Sequence, residues 1–292
     1  MKTNSALPSP KVLLIHAARQ AMGDARRRAE AMAQVLGAEL IVVKLSRPTT
    51  ARAHVFFPQA HRADGLRVLQ EALREARTIE RWQAARDRKG LPPLEVLCSS
   101  PSVDALVEVC RQPGVALVVI PASFAWFASR LTGLAARAGV PVLLARPPDG
   151  DERLVVATNL EDPTRPVIHQ ALALSARLEL PLTIVHNAPG FGAQLAAAGM
   201  AAMPMVAPDD GEVVAETERL LRQEFAGLSR PPEVTVTRRL DSATGILEAS
   251  IQAHADLIVL GVRTHSQPGM FVEHVAERVC RAAARSVLLV PV

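Results

Sequence analysis

Tyrosine is absent from the 292 residues, and aromatic residues together make up only 3%. Aliphatic side chains must therefore supply the core, which suits helices packed on a buried sheet. Cysteine is scarce: Cys98, Cys110 and Cys280 are an odd number at no metal-ligand spacing. That pattern excludes a disulfide framework and fits reduced thiols in a cytoplasmic protein. No run approaches the roughly 18 consecutive apolar residues of a membrane span. Residues 1–10 are polar and contain proline, so they show no apolar core of a signal peptide. What is present is ordinary for a globular chain, 49% apolar and 21% charged, and its length favours two domains.

The net charge of +4 conceals an asymmetry. Residues 1–148 hold 21 basic and 11 acidic residues, a net +10, whereas residues 149–292 hold 12 and 18, a net −6. A nucleic-acid groove would need stacking aromatics beside the basic residues, and those are lacking, so no nucleic-acid partner is expected. Attraction between the two halves is the preferred reading.

Short aliphatic runs bounded by polar or turn residues read as buried parallel strands. In the first half they fall at residues 12–15, 40–43, 94–97, 117–120 and 142–145, and in the second at 154–157, 182–185, 234–236, 257–260 and 287–290. The two sets are related by near-constant offsets of 142, 142, 139, 140 and 145 residues. The chain thus reads as a duplication of one unit, domains 1–148 and 149–292, joined where Pro147, Pro148 and Gly150 mark a linker. Helix-period segments at residues 24–36, 64–86, 102–111, 124–138, 166–178, 212–226, 244–253 and 271–284 separate the strands. Strands alternating with helices predict right-handed crossovers and a five-stranded parallel α/β sandwich in each half.

Open parallel sheets bind ligands outside the carboxyl ends of their strands, where crossovers reverse and helix N-termini present amides. In the second half the relevant loops are residues 158–162 and 261–269. Around the latter, residues 253–261 (AHADLIVLG), Val275–Ala276–Glu277–Arg278–Val279 and Ser286–Val287–Leu288–Leu289–Val290–Pro291 resemble the C-terminal signature of the universal stress protein family. Residues 154–159 resemble that family's first strand, and residues 37–43 its second, so the chain resembles a tandem two-domain member. The resemblance implies an adenine-nucleotide alpha hydrolase-like, Rossmann-like fold, a cytoplasmic stress-response role, and an intrachain pseudo-dimer with antiparallel pairing of the terminal strands, residues 142–145 and 287–290. It leaves a homodimer open and implies no membrane partner.

Nucleotide-binding members of that family carry Gly, two residues, Gly, nine residues, then Gly-Ser/Thr. Here Gly261 keeps the first place, but Thr264 replaces the second glycine, Glu273 the third and His274 the hydroxyl residue, with a spacer one residue shorter. A carboxylate at Glu273 stands where phosphate charge would lie, and Asn159 replaces the aspartate directed at the ribose. If the second half holds ATP or another adenine nucleotide, the resemblance assigns the contact to Ala157, Thr158, Asn159, Val185, Gly261, Arg263, Thr264, His274 and Val275. The first half lacks about five loop residues, places Pro121 after its fourth strand where no amide is available, and has His16 at the acidic position.

Other chemistry finds little support. There is no Walker loop, and Gly190–Phe191–Gly192 lacks the third glycine of a dinucleotide fingerprint, with Leu195 in its place. No Gly-x-Ser-x-Gly elbow occurs. His265 and His274 would need two further ligands to hold zinc, and Cys280 is poorly spaced to be one, so solvated loop histidines are preferred. His16 and His186 follow strand ends and read equally as site residues or as partners of loop backbone. Phe124, Trp126 and Phe127 read as core, Met200, Met203 and Met205 as a flexible apolar cap, and residues 62–89 as a salt-bridged solvated face. The reading is a non-enzymatic stress-response protein acting through a partner or small ligand. The alternative is an adenine-nucleotide sensor using the second half, and an ATP hydrolase ranks below both because no base or carboxylate pair is evident.

Overall fold

The computed structural model describes residues 9–17, 23–45, 95–98, 103–122, 128–147, 153–160, 165–188, 210–239, 241–264 and 273–292. The segments 64–86, 124–127 and 190–208, His265 and the side chain of His16 lie outside them, so the readings placed there are not addressed by the structure. The chain divides into two compact units, Met1–Arg146 and Pro147–Val292.

The first unit runs β1 (Lys11–Ala17), α1 (Gly23–Leu36), β2 (Glu39–Leu45), β3 (Glu95–Cys98), α2 (Val103–Cys110), β4 (Val115–Pro121), α3 (Ala128–Ala138) and β5 (Val142–Ala145). The second runs β6 (Arg153–Thr158), α4 (Arg165–Leu178), β7 (Leu182–Asn187), α5 (Asp210–Phe225), β8 (Glu233–Thr237), α6 (Ser242–Gln252), β9 (Ala255–Val262), α7 (Glu273–Ala282) and β10 (Ser286–Pro291). Every strand expected from the aliphatic runs is present. Most extend further, β9 by two residues at each end, because the parallel ladders continue through small residues such as Ala255, beside Arg153, and Gly261, beside Val290.

Within the first unit the order is β3-β2-β1-β4-β5, and within the second β8-β7-β6-β9-β10, with all pairs parallel. Registers repeat at the sequence offsets: Val12 lies beside Leu40 as Leu154 lies beside Leu182. The ladder between β1 and β4 slips at Lys11/Val12, and that between β6 and β9 slips at the equivalent Arg153/Leu154. An identical irregularity in both units shows the repeat in backbone detail.

Burial explains why these segments became strands. Val12, Leu14, Val118, Leu144, Leu154, Val156, Ile258 and Leu289 are fully buried, as expected when helices cover both faces of a parallel sheet. Neighbouring residues on opposite faces are equally buried, so no polar alternation appears. In each unit the crossovers reverse between two neighbouring strands, β1 and β4 or β6 and β9, and a ligand crevice opens at the carboxyl ends of such a pair.

Candidate functional site

Strand β6 delivers Ala157 and Thr158 to this end of the second unit, both buried, followed by exposed Asn159 and Leu160. Thr158 folds the chain back on itself: its Oγ1 accepts a hydrogen bond from Leu160 N at 3.0 Å. Leu160 closes that turn in the left-handed region, at φ 63°, a conformation costing an L-residue about 1–2 kcal/mol. From β7, His186 Nδ1 lies 3.0 Å from Thr158 O. A carbonyl only accepts, so Nδ1 carries the proton. Of the two readings held for His186, the bond to backbone is the one seen, though to the last carbonyl of β6 and not to a loop.

Strand β9 delivers Gly261, Val262, Arg263 and Thr264. A Cβ on Gly261 would stand 2.9 Å from Val167 Cγ2 of α4 and 3.6 Å from Val292 Cγ2. Glycine is therefore required here by helix-to-strand packing, independently of any phosphate. Thr264 N and Oγ1 both donate to Val292 O, at 2.8 and 3.0 Å, and Val292 N donates to Val262 O at 2.9 Å. Where the family pattern offers a glycine amide to phosphate, this chain engages amide and hydroxyl with its own backbone. Arg263 is exposed, and because β6 and β9 are parallel neighbours it emerges at the same end as Asn159.

The remaining expected residues separate. Val185 is fully buried in a core cluster with Val155, Ala249 and Ala255, so its side chain belongs to the packing under α6 and not to the crevice. Val275 is half-buried in the first turn of α7, while the side chains of Glu273 and His274, and residues 265–272, fall outside the described part. Cys280 is buried and forms no disulfide. Burial pushes the Cys110 thiol up to about 12, which keeps it protonated and unreactive at neutral pH. Among the described residues no group of three or more His, Cys, Asp or Glu could hold a metal ion.

Two polar constellations near the carboxyl ends of the strands escaped sequence reasoning. Asp241 caps α6, accepting from Ala243 N at 3.3 Å and Thr244 N at 3.0 Å, and Arg278 of α7 grips both its oxygens at 2.6 and 2.7 Å. Burial works to raise this carboxyl, but the bonds from Thr244 and Ala243 and the Arg278 charge outweigh it and hold the group below its ordinary value. The available signal for the cap was an aspartate three residues ahead of the helix-period segment 244–253. Its arginine, 37 residues away, left no such signal.

The second constellation centres on Asn187 at the end of β7. Its Oδ1 accepts from Thr237 Oγ1 at 3.0 Å and Arg239 N at 2.9 Å. Its Nδ2 donates to Arg239 O at 3.0 Å and Ser242 Oγ at 3.1 Å. One amide thereby fixes the loop from β8 into α6.

Two parallel α/β units whose crossovers reverse at a central strand pair define the class: a Rossmann-like protein, a fold that takes ligands, where it takes them, at the strand carboxyl ends. Residues 152–291 match the model of the Universal stress protein family, so the second unit is a universal stress protein domain. A universal stress protein from Archaeoglobus fulgidus DSM 4304 shares the fold at 14% identity and TM-score 0.59, over 97% of this chain and 98% of that one. A functionally unknown protein from Pseudomonas aeruginosa PAO1 does so at 16% and 0.58, over 97% and 92%. A universal stress protein from Archaeoglobus fulgidus solved in complex with dAMP matches at 19% identity, 48% of this chain, 98% of that one and TM-score 0.34. The comparison with curated proteins found no match. Among the described residues no helix is long and apolar enough to cross a membrane.

Proposed function

We propose that the chain is a tandem universal stress protein, with domains 1–148 and 149–292, that acts without catalysis in the cytoplasmic stress response by binding a protein partner or a small ligand. In this reading the first unit is a degenerate copy with a shortened phosphate loop, and the two units pair through β5 and β10 as an intrachain pseudo-dimer. Such pairing would remove two apolar sheet edges. The observation that carries the non-catalytic reading is the engagement of Thr264: its amide and hydroxyl are held by Val292 O. Gly261, the retained family glycine, is accounted for by Val167. Titration calorimetry of the purified chain with ATP and Mg²⁺ tests it. No heat of binding at micromolar ATP is expected, and micromolar affinity overturns the reading.

A second reading, an adenine-nucleotide sensor confined to the second unit, is favoured by Asn159 and Arg263, exposed at the ends of two adjacent strands. Asn159 would address a ribose hydroxyl and Arg263 a phosphate. Native mass spectrometry separates the two readings by the mass of any retained nucleotide, and it reads the oligomeric state at the same time.

A further inference from the structure

Strand β8 ends the strand order of the second unit among the described residues, which makes its outer side a row of backbone groups open to strand addition. Which groups face outward follows from one bond. Thr237 O accepts from Ala188 N at 2.9 Å, on the β7 side, so by the two-residue alternation of a strand Val234 and Val236 direct their backbone groups away from β7. Helix α5, packed on β8, meets those groups with side chains. Glu218 Oε1 accepts from Val236 N at 3.3 Å, and an Arg222 guanidinium nitrogen donates to Val234 O at 3.5 Å. Glu218 and Arg222 are one helical turn apart and bind each other at 2.7 Å, so each holds the other in place.

The pattern has a specific meaning. In a parallel ladder, one residue of an added strand would lie opposite Thr235, donating to the carbonyl before it and accepting from the amide after it. Arg222 and Glu218 supply that donor and that acceptor. They stand in for a peptide unit of the next strand.

We propose that the Glu218–Arg222 pair is an edge seal: by taking up Val236 N and Val234 O it keeps a further strand, above all the β8 edge of a second copy of this chain, from adding to the sheet. Two identical edges related by a two-fold axis pair antiparallel, and Val234 and Val236 would exchange the bonds now given to the side chains. A second copy is the strand to expect once both side chains are removed, because each edge carries donors and acceptors that complement the other's.

The test uses the full chain. Light scattering over a concentration series should show the E218A/R222A variant doubling its mass relative to the unmodified protein. Adding Val236→Pro should return the mass to the starting value, because that amide faces away from β7 and its loss costs no bond within the sheet. A double variant of unchanged mass overturns the proposal, and so does association that the proline fails to reverse. A second measurement holds even if the double variant folds poorly: amide exchange at Val236 should quicken about tenfold in E218A and stay unchanged in E218Q, whose side-chain oxygen still accepts. Equal exchange in E218A and E218Q overturns it as well.

Discussion

Helices α1 and α4 end in the same turn, closed by Ala38 N bonding Ala33 O at 2.8 Å in the first and Leu180 N bonding Ser175 O at 3.1 Å in the second. The residue that makes the turn is Gly37 at φ 59° in one and Glu179 at φ 57° in the other. Before the fourth strand of each unit the same exchange recurs, Gly114 at φ 88° against His254 at φ 51°. The first unit uses glycine where the backbone turns left-handed, and the second unit carries side chains through the same conformation. The two units share this backbone and differ in how comfortably each residue occupies it. Strand patterning and burial hold the turn in place, and a cost of about 1 kcal/mol at each site is small beside the core that imposes it.

The strand ends differ too. By register, Leu45 lies beside Cys98 where Asn187 lies beside Thr237, so an apolar pair in one unit answers a hydrogen-bonded pair in the other. At the carboxyl end of the fourth strand, Pro121 and Ala25 of the first unit stand at the positions of Gly261 and Val167. The larger residue has changed sides, from strand to helix.

These contrasts can be broken experimentally. Replacing Asn187 by the first unit's residue, Asn187→Leu, strands the partners of four hydrogen bonds. It should lower the stability of the second unit by about 3 kcal/mol, measured as a shift of its denaturant transition. A change below 1 kcal/mol would mean that water replaces the amide there.

Gly261→Ala drives a methyl against Val167 and should cost about 2 kcal/mol by the same assay. Combining it with Val167→Ala, which imitates the small helix residue Ala25, should recover much of that loss. An additive double variant would refute the size exchange.

Asp241→Ala removes the α6 cap and the partner of Arg278, for about 1 kcal/mol at neutral pH. The folded carboxyl is held below its ordinary value. Its contribution is therefore complete above the ordinary aspartate range and disappears as the pH falls through the lower folded value. Stability of the unmodified chain should decline on acidification more steeply than that of the alanine variant. Parallel pH profiles would show that Asp241 is not the group responsible.

The smallest effects come from the turns. Glu179→Gly and His254→Gly should each raise the melting temperature slightly, by a gain of about 0.5 kcal/mol once the added freedom of the unfolded chain is subtracted. The reverse changes, Gly37→Glu and Gly114→His, should lower it.

The ten strands and the duplicated order were legible in the sequence because a parallel sheet buried on both faces requires unbroken aliphatic runs. The offsets between those runs stay near-constant because most connections keep their length, the main exception being the connection before the fifth strand, where the offset grows from 140 to 145. Asn159 and Arg263 were also legible, since a residue directly after a buried strand must emerge at its end. The candidate site was otherwise only partly readable. Whether Thr264 offers its amide to a ligand depends on Val292, 28 residues onward, and whether Gly261 serves phosphate or packing depends on Val167, 94 residues back. Hydrogen bonds and methyl contacts between distant segments leave no periodic trace. Composition and spacing thus determined the architecture of this protein, because burial acts on every residue of an element at once. Tertiary structure alone decided which polar groups at the strand ends are already engaged, because each such engagement is a single contact made only when the chain is folded.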